Sequence, residues 1–379
     1  MYEIGLREMA ALCRVIASGR LMRYQGGKNG FINRFEKALC QKTGARHALA
    51  VNSGTSALIS ALVGLGIGPG DEVIVPAYTW ISTALAPLAV GAVPILADVD
   101  ESLTLDPADV ERKVTEHTRA IIPVHMLNLV CNMEALMEVA GRRGLYVIED
   151  ACQAVGVRYK GRHVGTIGHA GAFSFNQFKN IAAGEGGALL TNDDRVFTRA
   201  TMYHDVGNST RENIADSNEA PFAGMNFRVS ELTGAVLCEQ LKRLDGILER
   251  LRSRRRVMAE ILAEDSGFAL SPHNDPENAH SLTLLFDTAE QAVAFKARHR
   301  RVKRLIDAGP HIYTNWVSVM QKRSFDPRMN PFDWARREIT YSPDMCARTL
   351  DILGRTCQIS IPYRVPLALV RRRTRQMLQ

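Results

Sequence analysis

Short apolar runs separated by stretches of helical spacing fill the first half of the chain, and this alternation constrains the fold more than any other feature. The runs are HALAV (47–51), EVIVP (72–76), VPILADV (93–99), AIIPVH (120–125), YVIED (146–150), GAFSF (171–175) and GALLT (187–191). Helix candidates lie between them at 55–65, 80–90, 107–115, 132–143 and 194–203. Runs that stay apolar, instead of alternating with polar residues, fit strands buried on both faces. The pattern therefore predicts an α/β domain with a mainly parallel sheet and helices on both sides. Ligands of such sheets bind beyond the carboxyl ends of the strands, where the notable polar residues of this chain fall.

The texture changes after about residue 230. SELTGAVLCEQLKRLDGILERLRSRRRVMAEIL carries a long amphipathic helical pattern interrupted by Gly234 and Gly246. LTLLF (282–286), a helix at 288–298 and CQISIP (357–362) then predict a smaller C-terminal α+β domain. With 379 residues the chain has room for two domains, a large one over 21–235 and a small one over 236–379. Residues 1–20 mix charges into helical spacing. They read as a cytosolic helix packed on one of the domains, because a secretory leader needs an uninterrupted apolar stretch.

Composition excludes several classes. With 46% hydrophobic and 23% charged residues the chain is of ordinary globular type, and its apolar stretches at 57–67 and 81–97 are broken by Gly or Pro, so no membrane span is expected. The seven cysteines form no CxxC pair and no HExxH occurs, so neither a zinc site nor a disulfide framework is indicated. The net charge of +7 is concentrated in RSRRR (252–256) and RRRTR (371–375). Without a nucleic-acid motif beside them, these read as solvated helix faces or as attraction for an anionic substrate.

Three segments carry chemistry. VNSGTSALISAL (51–62) ends an apolar run and passes directly into a helical pattern. Gly54, Thr55 and Ser56 there put backbone N–H groups and hydroxyls at a helix start, which makes either an anion site or a plain Ser/Thr cap. Nearby GLGIGPGDE (64–72) lacks GxGxxG spacing and reads as a turn. YVIEDACQAVG (146–156) delivers Glu149 and Asp150 to a strand end, with Gln153 just beyond. A carboxylate there can cap a helix or hold a protonated ring nitrogen, and no local residues complete a metal site. GAFSFNQFKNIAAGEGGALLTND (171–193) sets Lys179 in a Gly-bounded loop, where a lysine is ordinarily a surface residue.

In that order along one α/β domain, an anion-binding helix start, a strand-end acid and a loop lysine are what pyridoxal phosphate (PLP) requires. The segments resemble the DegT/DnrJ/EryC1/StrS family of PLP-dependent sugar aminotransferases, of the fold type I shared with aspartate aminotransferase. The resemblance runs from about residue 20 to at least GMNFRVSELTGAVLCEQL (224–241) and thins after residue 270. It implies that Lys179 is the Schiff-base lysine, that Asp150 contacts the pyridinium nitrogen and that Gln153 lies near the ring hydroxyl. Trp80 of PAYTW would stack on the ring, while Gly54, Thr55, Ser56 and Ser174 would hold the phosphate. Asn226 of GMNFR would reach the phosphate across a subunit interface, which implies a homodimer with shared active sites.

The resemblance further implies transamination from L-glutamate or L-glutamine to a keto-sugar, nucleotide-linked in the first reading. A keto-cyclitol or a free keto-sugar acid is the second reading. Family dehydratases carry histidine in place of the lysine, so Lys179 points to transamination. A non-catalytic regulator would have no need to keep lysine, acid, hydroxyls and aromatic together. Two stretches depart from the commoner pattern: Asn128 of VHMLN (124–128) stands where many members have glycine, and HDVGNSTRENIADSNEAPFAG (204–224) reads as a polar loop near the substrate. IYTNW (312–316) aligns loosely with a segment of substrate-side aromatics, which makes Tyr313, Asn315 and Trp316 candidate substrate residues.

Overall fold

The computed structural model describes residues 3–212, 214 and 217–378; Asn213, Ala215 and Asp216 of the polar 204–224 stretch lie outside the described residues. The expected runs form strands β1 (His47–Val51), β2 (Glu72–Pro76), β3 (Val93–Ala97), β4 (Thr118–Ile121) and β5 (Tyr146–Asp150). A short hairpin of β6 (Arg158–Tyr159) and β7 (Arg162–His163) precedes β8 (Ala170–Ser174) and β9 (Gly187–Thr191). The main sheet has the order β1-β9-β8-β5-β4-β2-β3. Its neighbours pair in parallel from β3 to β8, whereas β9 runs antiparallel to both β8 and β1. The apolar pattern does not reveal that reversal, because β9 is buried along its whole length like its neighbours. The connection decides it. Residues 175–186 fold back as a loop, with Phe175 N–H on Gly186 O (2.8 Å) and Gln177 N–H on Gly184 O (3.1 Å), and a parallel neighbour would need a crossover instead.

The helices are α1 (Leu6–Ser18), α2 (Phe31–Thr43), α3 (Gly54–Gly64), α4 (Ser82–Ala89), α5 (Pro107–Lys113), α6 (Met133–Arg143), α7 (Asp194–His204) and α8 (Glu231–Leu262). Side-chain caps set several of their starts: Asp106, Asn132, Asp193 and Ser230 each accept a backbone N–H of the first turn. Successive strand residues point to opposite faces, so the sheet divides two cores. Ile74 and Val147 pack with Phe35 of α2, Leu136 of α6 and Leu244 of α8. Val75 and Ile148 pack on the other side with Leu58 and Leu62 of α3 and Ala84 of α4. Each such large side chain contributes about 1.5–3 kcal/mol on burial.

The division expected after residue 235 falls inside a helix of 32 residues. The cores part further along it: Leu251 still belongs to the first, while Met258 and Leu262 join Leu284, Phe286 and Phe295 in a separate one. That third core covers a four-stranded antiparallel sheet of β10 (Ala269–Leu270), β11 (Thr283–Leu285), β12 (Val302–Arg304) and β13 (Thr356–Ile359), in the order β10-β11-β13-β12, with α9 (Ala289–Arg298) against it. Nor is the small domain continuous, since Leu305, Ile312, Val319 and Ile352 return to the core of the large domain. The N-terminal helix settles on α8, with Ala11 and Val15 against Ala235. Burial raises the Glu8 carboxyl, but the Arg243 guanidinium (3.0 Å) and the Gln240 amide (2.9 Å) outweigh it and hold Glu8 below its ordinary value. Part of the RSRRR cluster is structural too: Arg254 donates twice to Val365 O, at 3.1 and 3.0 Å. Among the described residues no helix is long and apolar enough to cross a membrane.

Candidate active site

The corner between β1 and α3 is built from its own hydroxyls. Ser53, extended at φ −162°, caps α3 by accepting the Ser56 N–H (3.0 Å), and the Ser56 hydroxyl donates to Asn52 Oδ1 (2.6 Å). Ser56 is thereby tied inward, whereas Thr55 is half-buried at the helix start. A Cβ at Gly54 would stand 2.6 Å from Cys152 Sγ and 2.9 Å from Ser174 Cβ. Only glycine lets the start of α3 lie so close to the turn after β5 and to the end of β8. That close approach brings Gly54, Ser174 and the EDACQ turn together at the carboxyl ends of three strands.

Asp150 and Glu149 alternate across the end of β5 and have separate surroundings. Asp150, 5% exposed, accepts the Thr83 hydroxyl on Oδ2 (2.8 Å) and the Cys152 N–H on Oδ1 (3.1 Å). Thr83 has one hydroxyl hydrogen and gives it to Asp150, so Thr79 donates to Thr83 across the 2.9 Å between them. Glu149, fully buried, accepts the N–H groups of Ile167 (2.6 Å), Gly168 (2.7 Å) and Gly165 (2.8 Å). It also faces His125 Nε2 at 3.1 Å, while His125 Nδ1 accepts the Cys131 N–H at the same distance. That network assigns the imidazole proton to Nε2. Of the two acids, Glu149 is consumed in holding the 165–168 turn. Gln153 Oε1 accepts the Leu127 N–H (3.1 Å), which leaves its NH2 group as the outward donor.

Lys179 sits half-buried at the tip of the β8–β9 connection, its N–H on Asn176 O at 3.0 Å. Its ammonium lies near enough to act on both Cys152 and His311. Burial raises the Cys152 thiol well above its usual range, with the Lys179 charge opposing. Burial and then the same charge lower the His311 imidazole. Lysine, acid, glycine corner and serine thus converge at one place.

A family model for DegT/DnrJ/EryC1/StrS aminotransferases matches residues 3–328. The chain belongs to the DegT/DnrJ/EryC1/StrS aminotransferase family. It is 42% identical over 232 residues to GDP-perosamine synthase of Caulobacter vibrioides, over 60% of either chain. It is 38% identical over 275 residues to a putative L-glutamine:3-amino-2,3-dideoxy-scyllo-inosose aminotransferase of Streptoalloteichus tenebrarius, over 71% of this chain and 64% of that one. The matches therefore span less than two thirds of the length of either relative. The crystal structure of 3-amino-5-hydroxybenzoic acid synthase superposes with a TM-score of 0.79 at 28% identity, over 99% of this chain and 97% of that one. The fold is that of the fold type I PLP aminotransferases.

The DegT/DnrJ/EryC1/StrS family is PLP-dependent, and the residues present suit that cofactor. Gly54 leaves backbone room where a Cβ would block it, Thr55 and Ser174 bring hydroxyls, and Asp150 is a fixed, anchored carboxylate. Trp80 is 46% exposed and tilted against His311, ring centroids 5.2 Å apart, so an apolar face remains open. His311 was not anticipated from sequence. Residues 311–313 pair with 77–79, through Thr79 N–H on His311 O (2.9 Å) and Tyr313 N–H on Ala77 O (3.0 Å), and this carries His311 to Trp80. Its Nδ1 donates to Ala308 O (3.0 Å), so Nε2 is a neutral acceptor beside Lys179.

Two of the substrate candidates are corrected. Tyr313 and Trp316 lie wholly inside the core of the large domain, the phenol donating to Pro343 O (2.5 Å) and the indole to Pro310 O (2.8 Å). Neither presents a surface to a ligand. Asn315 is exposed, with its amide on Gly309 O at 2.8 Å. Asn226 is exposed as well, its Oδ1 accepting the Arg228 N–H (3.2 Å), and the next residue, Phe227, receives the Asn52 N–H of the α3 corner (2.9 Å). Beside it Asp205 is buried between Arg211 and Arg228, and these cations overcome burial to hold its carboxyl below the usual value.

Proposed function

We propose that this chain is a PLP-dependent aminotransferase that moves an amino group from L-glutamate or L-glutamine to a keto-sugar, nucleotide-linked in the first instance. The observation that carries the reading is the convergence of Lys179, Asp150, Gly54 and Ser174 at the ends of three strands. The bound cofactor supplies an electron sink that no side chain offers. Backbone N–H groups at the start of α3, with the Thr55 and Ser174 hydroxyls, would hold its phosphate through charge-assisted hydrogen bonds. Trp80 would cover one face of the ring, and the Gln153 NH2 group would donate towards the ring hydroxyl. Asp150 would set a negative charge against the ring nitrogen and so would keep that nitrogen protonated. Lys179 Nζ would hold the cofactor covalently and, once free of it, would move the donor Cα proton as general base and acid.

Asn226 would complete the phosphate grip of a second copy, which makes a homodimer the working form. GDP-perosamine synthase as a relative favours a nucleotide-linked acceptor; a keto-cyclitol remains the second reading, favoured by the scyllo-inosose aminotransferase. The test is visible absorbance of the PLP-loaded protein before and after L-glutamate, with Lys179→Ala alongside. Bleaching of the lysine-bound band with release of 2-oxoglutarate supports the donor half-reaction, and acceptor screening follows. A band unmoved by both glutamate and glutamine refutes it.

A further inference from the structure

The turn after β4 is where the chain departs from the family's commoner pattern, and it is also strained. Leu127 (φ 55°, ψ 31°) and Asn128 (φ 63°) are both left-handed. Asparagine tolerates this region better than most residues, but glycine enters it freely, and a leucine there is uncommon. Bonds on three sides hold the turn. Leu127 N–H donates to Gln153 Oε1 (3.1 Å), Leu127 O accepts the Ser281 hydroxyl, and Asn128 Oδ1 accepts from Asn180 Nδ2 (2.7 Å). Asn180 is buried, donates also to Val155 O (3.0 Å), and directly follows Lys179.

Glycine at position 128 would relieve the strain of that residue, though not that of Leu127, and would remove the Asn180 bond with it. A side chain kept in a backbone conformation that disfavours it has a task there. The Lys179 loop needs such an anchor: Gln177 and Phe178 are exposed, Phe178 by 82%, whereas Asn180 and Ile181 are buried. We propose that Asn128 is a positioning residue, whose side-chain amide clamps Asn180 and thereby fixes the Lys179 amine, while its turn aims the Gln153 amide. This rests on the assignment of Lys179 made under the proposed function. It adds a second point of control over the lysine, supplied from the turn after β4, a strand that β5 separates from β8.

The test is Asn128→Gly in the full chain. Relief of the backbone at 128 opposes the loss of one buried hydrogen bond, so the thermal midpoint of the cofactor-free protein should stay close to that of the parent. The rate at which added PLP acquires the visible absorbance of its lysine-bound form, and the single-turnover reaction with L-glutamate, should each fall roughly 10- to 100-fold. Asn180→Ala, which leaves the turn's own backbone unchanged, should slow both steps alike, and the double variant should be no slower than the slower single one. Parental capture rates in either single variant, or losses that multiply in the double, would overturn the inference. Lys179→Ala separates the two levels. If it still develops the visible band, the lysine assignment itself fails; if it loses the band while Asn128→Gly is parental, only the clamp fails.

Discussion

Replacing Glu149 with glutamine exchanges one carboxylate oxygen for an amide nitrogen at a point where every surrounding group is a donor. Oε1 receives Ile167 and Gly168, and Oε2 receives Gly165 and faces His125, in a site with no solvent access. The glutamine oxygen can serve one pair of donors, but its NH2 group then opposes the other pair. His125 cannot reverse its tautomer without breaking the bond from Cys131 N–H to Nδ1. Two charge-assisted bonds at about 1.5–3 kcal/mol each, or a buried ionic partner removed at about 3–5 kcal/mol, both give a loss near 4 kcal/mol. Catalysis by the protein that remains folded should be unchanged, because Glu149 faces away from the Asp150 side of the strand.

The neighbouring exchange should do the reverse. Asp150 accepts two bonds, from Thr83 and from Cys152 N–H, and asparagine can keep the shape and one or both of them, so Asp150→Asn should cost about 1 kcal/mol of stability. On its proposed role it removes the charge that would lie opposite the ring nitrogen, and the glutamate half-reaction should fall on the order of 100-fold or more. Urea unfolding of the cofactor-free proteins, followed by circular dichroism, reads the first quantity, and stopped-flow absorbance reads the second. A Glu149→Gln loss under about 1 kcal/mol, or an Asp150→Asn half-reaction within about tenfold of the parent, would refute the division of roles.

Gly54→Ala forces a Cβ to within 2.6 Å of Cys152 Sγ, and should weaken PLP binding by about 1–3 kcal/mol in a fluorescence titration. Cys152→Ala in the same chain should recover part of that loss, and no recovery would mean that the crowding lies elsewhere. His163, His204 and His280 are pushed by burial down to about 4, about 3 and about 4, so below the ordinary value of 6.5 the unfolded chain takes up protons that the folded chain refuses. Stability should therefore fall on acidification from pH 6.5, by about 2 kcal/mol per histidine at pH 5, and urea midpoints that stay level over that range would contradict it. Tyr313→Phe removes a hydroxyl bonded to Pro343 O and Cys346 N–H, and should cost about 1 kcal/mol of stability while leaving the KM for the acceptor unchanged; a raised KM would return Tyr313 to the substrate site.

These outcomes divide along the line between what a linear pattern carries and what it does not. Apolar runs report burial, and caps such as Asp106 and Ser230 report helix starts, so β1–β5, β8, β9 and α3–α7 were legible to within a few residues, whereas α2 and the short strands β6, β7, β10 and β12 were not anticipated. The proposed lysine, acid and glycine corner stood out in the sequence because the acid ends β5, the glycine opens α3 just after β1, and the lysine lies in the loop after β8. The reversal of β9 was not, because burial on two faces looks alike in either direction. The break between cores inside α8 was hidden because a helix that crosses from one core to another keeps its apolar spacing throughout. Tyr313 and Trp316 were misplaced for a related reason: an aromatic body suits a core as well as a binding site, and only the pairing of 311–313 with 77–79, more than 200 residues away, decides which. The same pairing leaves His311, two positions before Tyr313, facing Lys179. Alternation along an extended segment would put residues 311 and 313 on the same side, so it does not separate them. Single helical turns at Gly309–His311 and Tyr313–Asn315, on either side of Ile312, leave the histidine beside Trp80 and turn the tyrosine into the core. The expectation that a residue of this segment reaches the ligand then falls on the histidine, which lies beside Lys179, and not on Tyr313 or Trp316, which the core encloses.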